Sequence, residues 1–318
     1  MNMKSTFFYL KQKLINSGIF SYVLVKKATH ALLRKWRMLT FYQNREVIIF
    51  LADQTITPKR PKMFVVMNHI VSELEVKDPT GKGAPKVERL AQTIDGLLAS
   101  FAHCELKILI NTVPDRHIIK HLPAYQQERI SVKDDPFFNP LYLGYRAQDE
   151  LAKHVQDYDW FLYIEDDIVI NDGSFLDKLS RFNRFSGYPN AILFPNRYEM
   201  YEGKKYYIDL TIEPRLAWDK VSAVEVDGTK FAECSNSHSG LYCLSKTQME
   251  HWIASGRTWN YQDIMVSPLE SAGTYCLMEC FKIYKPHPLN LSYLEVRHYD
   301  TKYSKLYPDP SPFILSAV

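Results

Sequence analysis

From about residue 62 onward, short apolar runs alternate with stretches of helical periodicity. Met63 to Met67 (MFVVM) reads as a first strand, since five apolar residues without a charge suit a strand covered on both faces. The stretch from Ser72 to Pro85 carries Pro79, Gly81, Gly83 and Pro85, which mark a long loop. Val87, Leu90, Ala91, Ile94, Leu97, Leu98 and Phe101 then recur at the i, i+3, i+4, i+7 spacing of an amphipathic helix. Leu106 to Asn111 (LKILIN) is a second strand, so the pattern opens β-α-β. Residues 144 to 157 predict another helix, Trp160 to Ile164 (WFLYI) a further buried strand, and Ala191 to Phe194 (AILF) one more. Between the last two, a helix starts at Ser174, with Asp177 three residues on in a capping-box arrangement and Phe175, Leu176, Leu179 and Phe182 apolar. Strands alternating with helices predict an α/β fold whose largely parallel sheet is covered on both faces.

Composition leaves that picture standing and adds an asymmetry. With 318 residues, 46% hydrophobic and 24% charged, the chain suits one large or two modest globular domains, which excludes a disordered tail and a multi-span membrane protein. The net charge of +3 conceals nine cations before residue 46 and no acidic residue among them. That leaves 30 of the 39 Lys and Arg to face all 36 Asp and Glu in the remainder. The expected division is therefore a basic amphipathic segment over residues 1–50 and a globular domain over 51–318. The arm mixes its cations with Phe7, Phe8, Leu14, Ile19, Phe20 and Trp36, and its longest apolar run falls far below the roughly 20 residues that span a bilayer. Such a segment can lie on an anionic membrane surface; the alternative is a helical hairpin packed on the domain. No recognition motif accompanies the charge, so no nucleic-acid partner is expected. Five cysteines without CxxC spacing give no zinc or redox motif and suit a reducing cytoplasm, placing the protein on the inner face of a membrane.

In open α/β sheets ligands gather at the carboxyl ends of the strands. Those ends carry Asn68 and His69, Asn111, and the triplet Glu165-Asp166-Asp167. Three adjacent carboxylates ending a buried strand repel one another and lose hydration. A hard divalent cation, Mg²⁺ or Mn²⁺, would offset that cost and keep coordination positions open for a diphosphate. The alternative is a solvated acidic turn preceding the Ser174 helix.

The segments NPLYLGYRAQDELAKH (139–154) and YDWFLYIEDD (158–167) resemble nucleotide-sugar glycosyltransferases of the GT-A fold, in which a Gly- and Arg-containing helix precedes a hydrophobic strand and a DxD-type metal motif. The EDD spelling resembles that of N-acetylglucosaminyltransferase I. This resemblance implies a GT-A fold, hexosyl or N-acetylhexosaminyl transfer from a nucleotide-diphosphate sugar to a carbohydrate or glycolipid acceptor, and Mn²⁺ or Mg²⁺ as cofactor. It implies Asp167 as direct metal ligand, Asp166 and Glu165 near the ribose and around the metal, and Arg146 near the nucleotide or the acidic loop. Glu165 in place of the usual first Asp is the departure from the pattern. A metal on the diphosphate stabilises the charge that develops as the glycosyl bond breaks.

The second half supplies further candidates. SNSHSG (235–240) is dense in hydrogen-bonding groups; His238 and Ser239 would face the donor sugar and acceptor, or form a polar turn. Arg197, in NRYE (196–199), would hold a sugar hydroxyl or phosphate, or a surface ion pair. An inverting transfer needs a carboxylate to take the acceptor proton. Glu270, in SPLESAG (267–273), is the first choice by resemblance and Asp263 the rival; either is equally suited to a simple helix-start role. His298 lies where several GT-A enzymes supply a late metal-binding His; the alternative is a structural histidine. A haloacid-dehalogenase phosphatase would need a nucleophilic Asp where Glu165 stands, and a sugar-phosphate nucleotidyltransferase a Gly-rich loop where Asn68-His69-Ile70 stand. A transferase fold that binds sugar nucleotides without turnover is the remaining rival.

Overall fold

The computed structural model describes residues 59–134, 136, 139–186, 190–209, 222–233, 238–256, 264 and 267–306. The basic arm and Asp263 lie outside them. The chain builds a mixed α/β architecture around a five-stranded sheet ordered β11-β4-β1-β2-β3. Its strands are β1 (Lys62–Asn68), β2 (Glu105–Thr112), β3 (Ile130–Asp134), β4 (Trp160–Glu165) and β11 (Leu241–Ser245). The pairs β1–β2, β1–β4 and β2–β3 are parallel, and β11 runs antiparallel to β4.

The alternation within each strand divides the core in two. Met63, Val65 and Met67 of β1 pack with Leu90, Ile94 and Leu97 of helix α1 (Ala84–Ser100) and with Phe175 and Leu179 of α3 (Phe175–Phe185). On the opposite face Phe64 and Val66 meet Tyr145 and Leu151 of α2 (Leu143–Lys153) and Met249 and Trp252 of α4 (Lys246–Ala254). Period-2 strands therefore present two apolar faces, each closed by helices, and the expected layering holds.

Local predictions failed in two places. The region read as a long loop contains a short helix, Glu73–Lys77, because Ser72 and Glu75 form a reciprocal capping box. Conversely, Ser174 makes no capping bond of its own; Asp172 Oδ1 accepts from both the Ser174 amide (3.0 Å) and its hydroxyl (2.7 Å), so the acidic residue two positions earlier takes the hydroxyl. Two small sheets were not anticipated, and the Ala191 run, read as a further strand of the main sheet, is an edge of one of them. One is ordered β6-β12-β10-β9 (β6 Ala191–Leu193, β12 Lys282–Pro286, β10 Thr229–Glu233, β9 Ala223–Val226). The other is ordered β5-β13-β7-β8 (β5 Ile168–Val169, β13 Glu295–His298, β7 Asn196–Tyr201, β8 Lys204–Tyr207). Their hairpins turn at Glu202-Gly203 and Asp227-Gly228, where both residues of each pair have positive φ, the two-residue geometry that suits strand twist. Among the described residues no helix is long and apolar enough to cross a membrane.

Candidate active site

Parallel register aligns the ends of three strands. Asn111 stands opposite Asn68, and Asn68 opposite Glu165, so these residues form one row across the carboxyl edge of the sheet. Asn111 donates to Asn68 Oδ1 (2.7 Å) and to the Leu143 carbonyl (2.8 Å), tying the row to the start of α2. His69 is buried and spent within the protein. Its Nδ1 donates to Asp166 at 2.6 Å while Nε2 accepts from the Ile118 amide at 3.4 Å, so it orients Asp166 and does not face a ligand. Arg146 is buried on α2, with one guanidinium nitrogen 3.4 Å from the Thr112 carbonyl at the end of β2.

The acidic triplet fills the turn from β4 into β5. Because β5 pairs antiparallel with β13, Ile168 stands opposite His298, and the Tyr299 amide donates to the Asp167 carbonyl at 2.7 Å. That register puts His298 Nε2 3.5 Å from Asp167 Oδ2 across 131 positions of sequence. Gly240, at φ +66°, closes the turn from the other side. A Cβ there would lie 2.8 Å from Ile168 and 3.3 Å from Glu165 Oε2, so only glycine fits.

Electrostatics separates the carboxylates. Burial, reinforced by Asp167, pushes the Glu165 carboxyl well above its usual range. Burial acts the same way on Asp167 but is outweighed there by His298, Arg89 and Lys86, which hold it well below. His298 is raised to about 9 although burial opposes its charge, because Asp167 and Glu199 flank it. His298 Nδ1 donates to Glu199 Oε1 at 2.8 Å, which leaves Nε2 toward Asp167. Glu199 is itself fully buried and accepts from the Ser304 amide (2.7 Å) in helix α5 (Lys302–Leu306).

Behind the triplet lies a buried charge cluster. Arg197 donates through Nε (3.0 Å) and a terminal nitrogen (2.8 Å) to Asp209 Oδ1, and Lys285 donates to Asp209 Oδ2 at 2.6 Å. Lys285 also donates to the His238 carbonyl at 2.9 Å. His238 reaches Thr274 Oγ1 at 3.1 Å; burial and the neighbouring Arg197 push its imidazole down to about 3, so it is neutral. Arg197 is thus neither a surface ion pair nor an exposed ligand. Ser239 is buried, its hydroxyl donated to the Pro195 carbonyl. Glu270 sits on the helical turn Pro268–Glu270 and exchanges hydrogen bonds with Ser267, which accepts the Glu270 amide at 3.3 Å and donates its hydroxyl to the carboxylate. That bonding fits the helix-start role weighed against proton abstraction. The buried Tyr163 phenol, raised far above its ordinary value first by burial and then by Glu165, also feels Glu270 more weakly.

Sequence reasoning missed Arg89, Glu199, Asp209 and Lys285. Each is an ordinary charged residue in its own segment, and only Glu199 fell within a motif singled out beforehand.

A divalent cation can be tested against this donor set. Among the described residues no group of three or more His, Cys, Asp and Glu side chains is arranged to hold a metal by itself. Asp167 Oδ1 and Glu165 Oε1 are nevertheless buried without a hydrogen-bond partner, and His298 presents Nε2 beside them. A carboxylate and an imidazole with an outer carboxylate partner fit an ion that displaces the Nε2 proton and completes its shell with phosphate oxygens.

No family model matches the sequence, and no curated protein matches it. Among solved structures the chain is similar to the galactosyltransferase LgtC in complex with donor and acceptor sugar analogs, at 11% identity over 70% of this chain and 73% of that one, with a TM-score of 0.33. It is also similar to a glycosyltransferase involved in the glycosylation of the major capsid of PBCV-1 (12%, 80% and 89%, TM-score 0.31). A third likeness is to mannose-1-phosphate geranyltransferase from Thermus thermophilus (11%, 71% and 73%, TM-score 0.34). Likenesses this distant assign no role to any residue of the chain.

Proposed function

We propose that the protein is a metal-dependent glycosyltransferase of the GT-A type, moving a sugar from a nucleotide-diphosphate sugar to a carbohydrate or lipid-linked acceptor at a membrane surface. The observation that carries this reading is the β4–β5 turn. It brings Asp167 and His298 together at the carboxyl edge of a mostly parallel sheet, with buried carboxylate oxygens that no donor among the described residues satisfies. In this reading Asp167 and His298 hold Mn²⁺ or Mg²⁺, which when bound would neutralise the diphosphate of the leaving nucleotide. Asn68 presents its amide nitrogen along the same edge, Asn111 holds that amide in orientation, His69 keeps Asp166 in place, and Glu270 takes the acceptor proton if transfer inverts configuration.

Thermal unfolding in the presence of UDP-, GDP- and CMP-sugars, with and without Mn²⁺, tests the reading. A ligand at 100 times its Kd is expected to raise the midpoint by about 5 °C, and only when the metal is present. If no nucleotide produces a metal-dependent shift, the proposal fails. Binding without hydrolysis or transfer would instead identify a catalytically inactive transferase fold.

Glu199→Gln probes the support of His298 separately. The amide cannot accept from both the His298 ring and the Ser304 amide with its two heteroatoms, so the ring loses its fixed orientation. Loss of such an outer partner weakens metal affinity about 10–100-fold. Titration of Mn²⁺ by electron paramagnetic resonance in the presence of the best nucleotide should show it; an unchanged affinity would remove Glu199 from the metal site.

A further inference from the structure

Arg89, largely buried beside the acidic turn, is held differently from the buried Arg197 behind it. A guanidinium offers five donors in a rigid fork, and charge-assisted N–H···O⁻ contacts normally close to about 2.7–2.9 Å. Arg197 approaches that limit, at 2.8 and 3.0 Å from Asp209. Arg89 does not. Its terminal nitrogens lie 3.3 Å from Asp167 Oδ2 and 3.6 Å from Asp300 Oδ2, and its Nε is buried without any partner among the described residues. The side chain is only 15% exposed, so solvent does not make good the deficit.

Other contacts already fix the helix that carries it. Thr93, one turn further along α1, donates its hydroxyl to the Asp166 carbonyl at 3.1 Å, and Tyr299 donates to Glu88 at 2.7 Å. Arg89 sits between these two anchors, with Lys86 one turn earlier also close enough to act on Asp167. Its loose contacts are therefore not needed to dock α1 on the acidic turn. A carboxylate engaged by a divalent cation becomes a poor partner for a guanidinium, because the cation and the guanidinium repel each other unless an anion lies between them. An under-coordinated arginine beside a metal-binding carboxylate is thus arranged to receive that anion.

We propose that Arg89 is a diphosphate-binding residue, which exchanges its contact with Asp167 for the phosphate oxygens of the nucleotide when metal and nucleotide bind together. The inference rests on the reading of Asp167 as a metal ligand.

Calorimetric titration of the full chain with Mn²⁺ alone, and with inorganic pyrophosphate at saturating Mn²⁺, tests it on Arg89→Gln and Arg89→Lys. Removing one charge-assisted contact is expected to weaken pyrophosphate binding by about tenfold or more in Arg89→Gln, with Arg89→Lys intermediate. Mn²⁺ alone should bind Arg89→Gln at least as tightly as wild type, since a cation has been removed from beside Asp167. If both ligands weaken together in variants with wild-type thermal midpoints, Arg89 only steadies Asp167 and the inference falls. Undiminished pyrophosphate binding in Arg89→Gln overturns it equally. Failure of the wild-type protein to bind Mn²⁺ and pyrophosphate overturns the proposed function itself, and this inference with it.

Discussion

Asp167→Ala is expected to abolish the metal-dependent part of nucleotide binding and to lower kcat/KM by about 100-fold or more, as loss of several kcal/mol of charge stabilisation requires. The same change should leave the metal-free protein folded, because two opposing effects partly offset each other. Asp167 is stabilised by His298 and Arg89, and that is lost. Its removal also relieves Glu165, whose charged form Asp167 and burial together disfavour. The protein without metal should therefore still unfold in a cooperative transition, while the rise produced by Mn²⁺ and nucleotide disappears. Measurement of both midpoints in one series separates a binding defect from a folding defect. A metal-dependent rise that survives Asp167→Ala undiminished would show that the cation is held elsewhere.

Asp209→Leu should have the largest effect on stability. Arg197, Asp209 and Lys285 are 3%, 5% and 1% exposed, so the two cations have no solvent to turn to when the carboxylate is removed. Breaking a buried pair in this way costs about 3–5 kcal/mol, a large share of the roughly 5–15 kcal/mol that holds a typical domain folded. Urea unfolding followed by circular dichroism reads the loss directly. Replacing all three together, as Arg197→Met, Asp209→Leu and Lys285→Met, should recover most of it, since no uncompensated charge remains.

The pH dependence follows from the same cluster. Burial would raise the Asp209 carboxyl, but Arg197 and Lys285 outweigh it and hold the group at about 2, against 3.8 when unperturbed. A depressed acid stabilises the fold fully above its unfolded value and loses that contribution as pH falls from 3.8 through about 2. Over that window Asp209 contributes on the order of 2 kcal/mol. Wild-type stability should thus fall more steeply between pH 4 and 2 than that of the triple variant. Equal slopes, or an Asp209→Leu protein within about 1 kcal/mol of wild type, would show that the cluster does not carry this share of the stability.

Much of the architecture was legible because it depends on near neighbours. MFVVM, LKILIN and WFLYI are strands for the reason their composition states: each lies in a sheet covered on both faces. The spacing from Val87 to Phe101 placed a helix whose described bounds differ by a few residues. The two small sheets were hidden because most of their strands are short, polar on one side and paired with partners far along the chain, although Asp227-Gly228 was a hairpin signal open to reading. Ser174 illustrates the limit of local motifs. Its spacing to Asp177 was right for a capping box, yet Asp172 was nearer to its hydroxyl.

At the site, sequence by itself determined that three carboxylates end a buried strand, that Asn68 and Asn111 follow two other apolar runs, and that such a group calls for positive charge. Which charge answers was a tertiary decision. His298 reaches Asp167 through the antiparallel pairing of β5 with β13, Arg89 through the packing of α1 on the turn, and Glu199 through the register of β7 beside β13. Asp209 meets Arg197 and Lys285 across separations of 12 and 76 residues. Periodicity records which face of an element is buried, because burial is repeated at every turn or every second residue. A single charged contact is made once, between segments whose order in the chain says nothing about their distance, and so only the folded chain contains it.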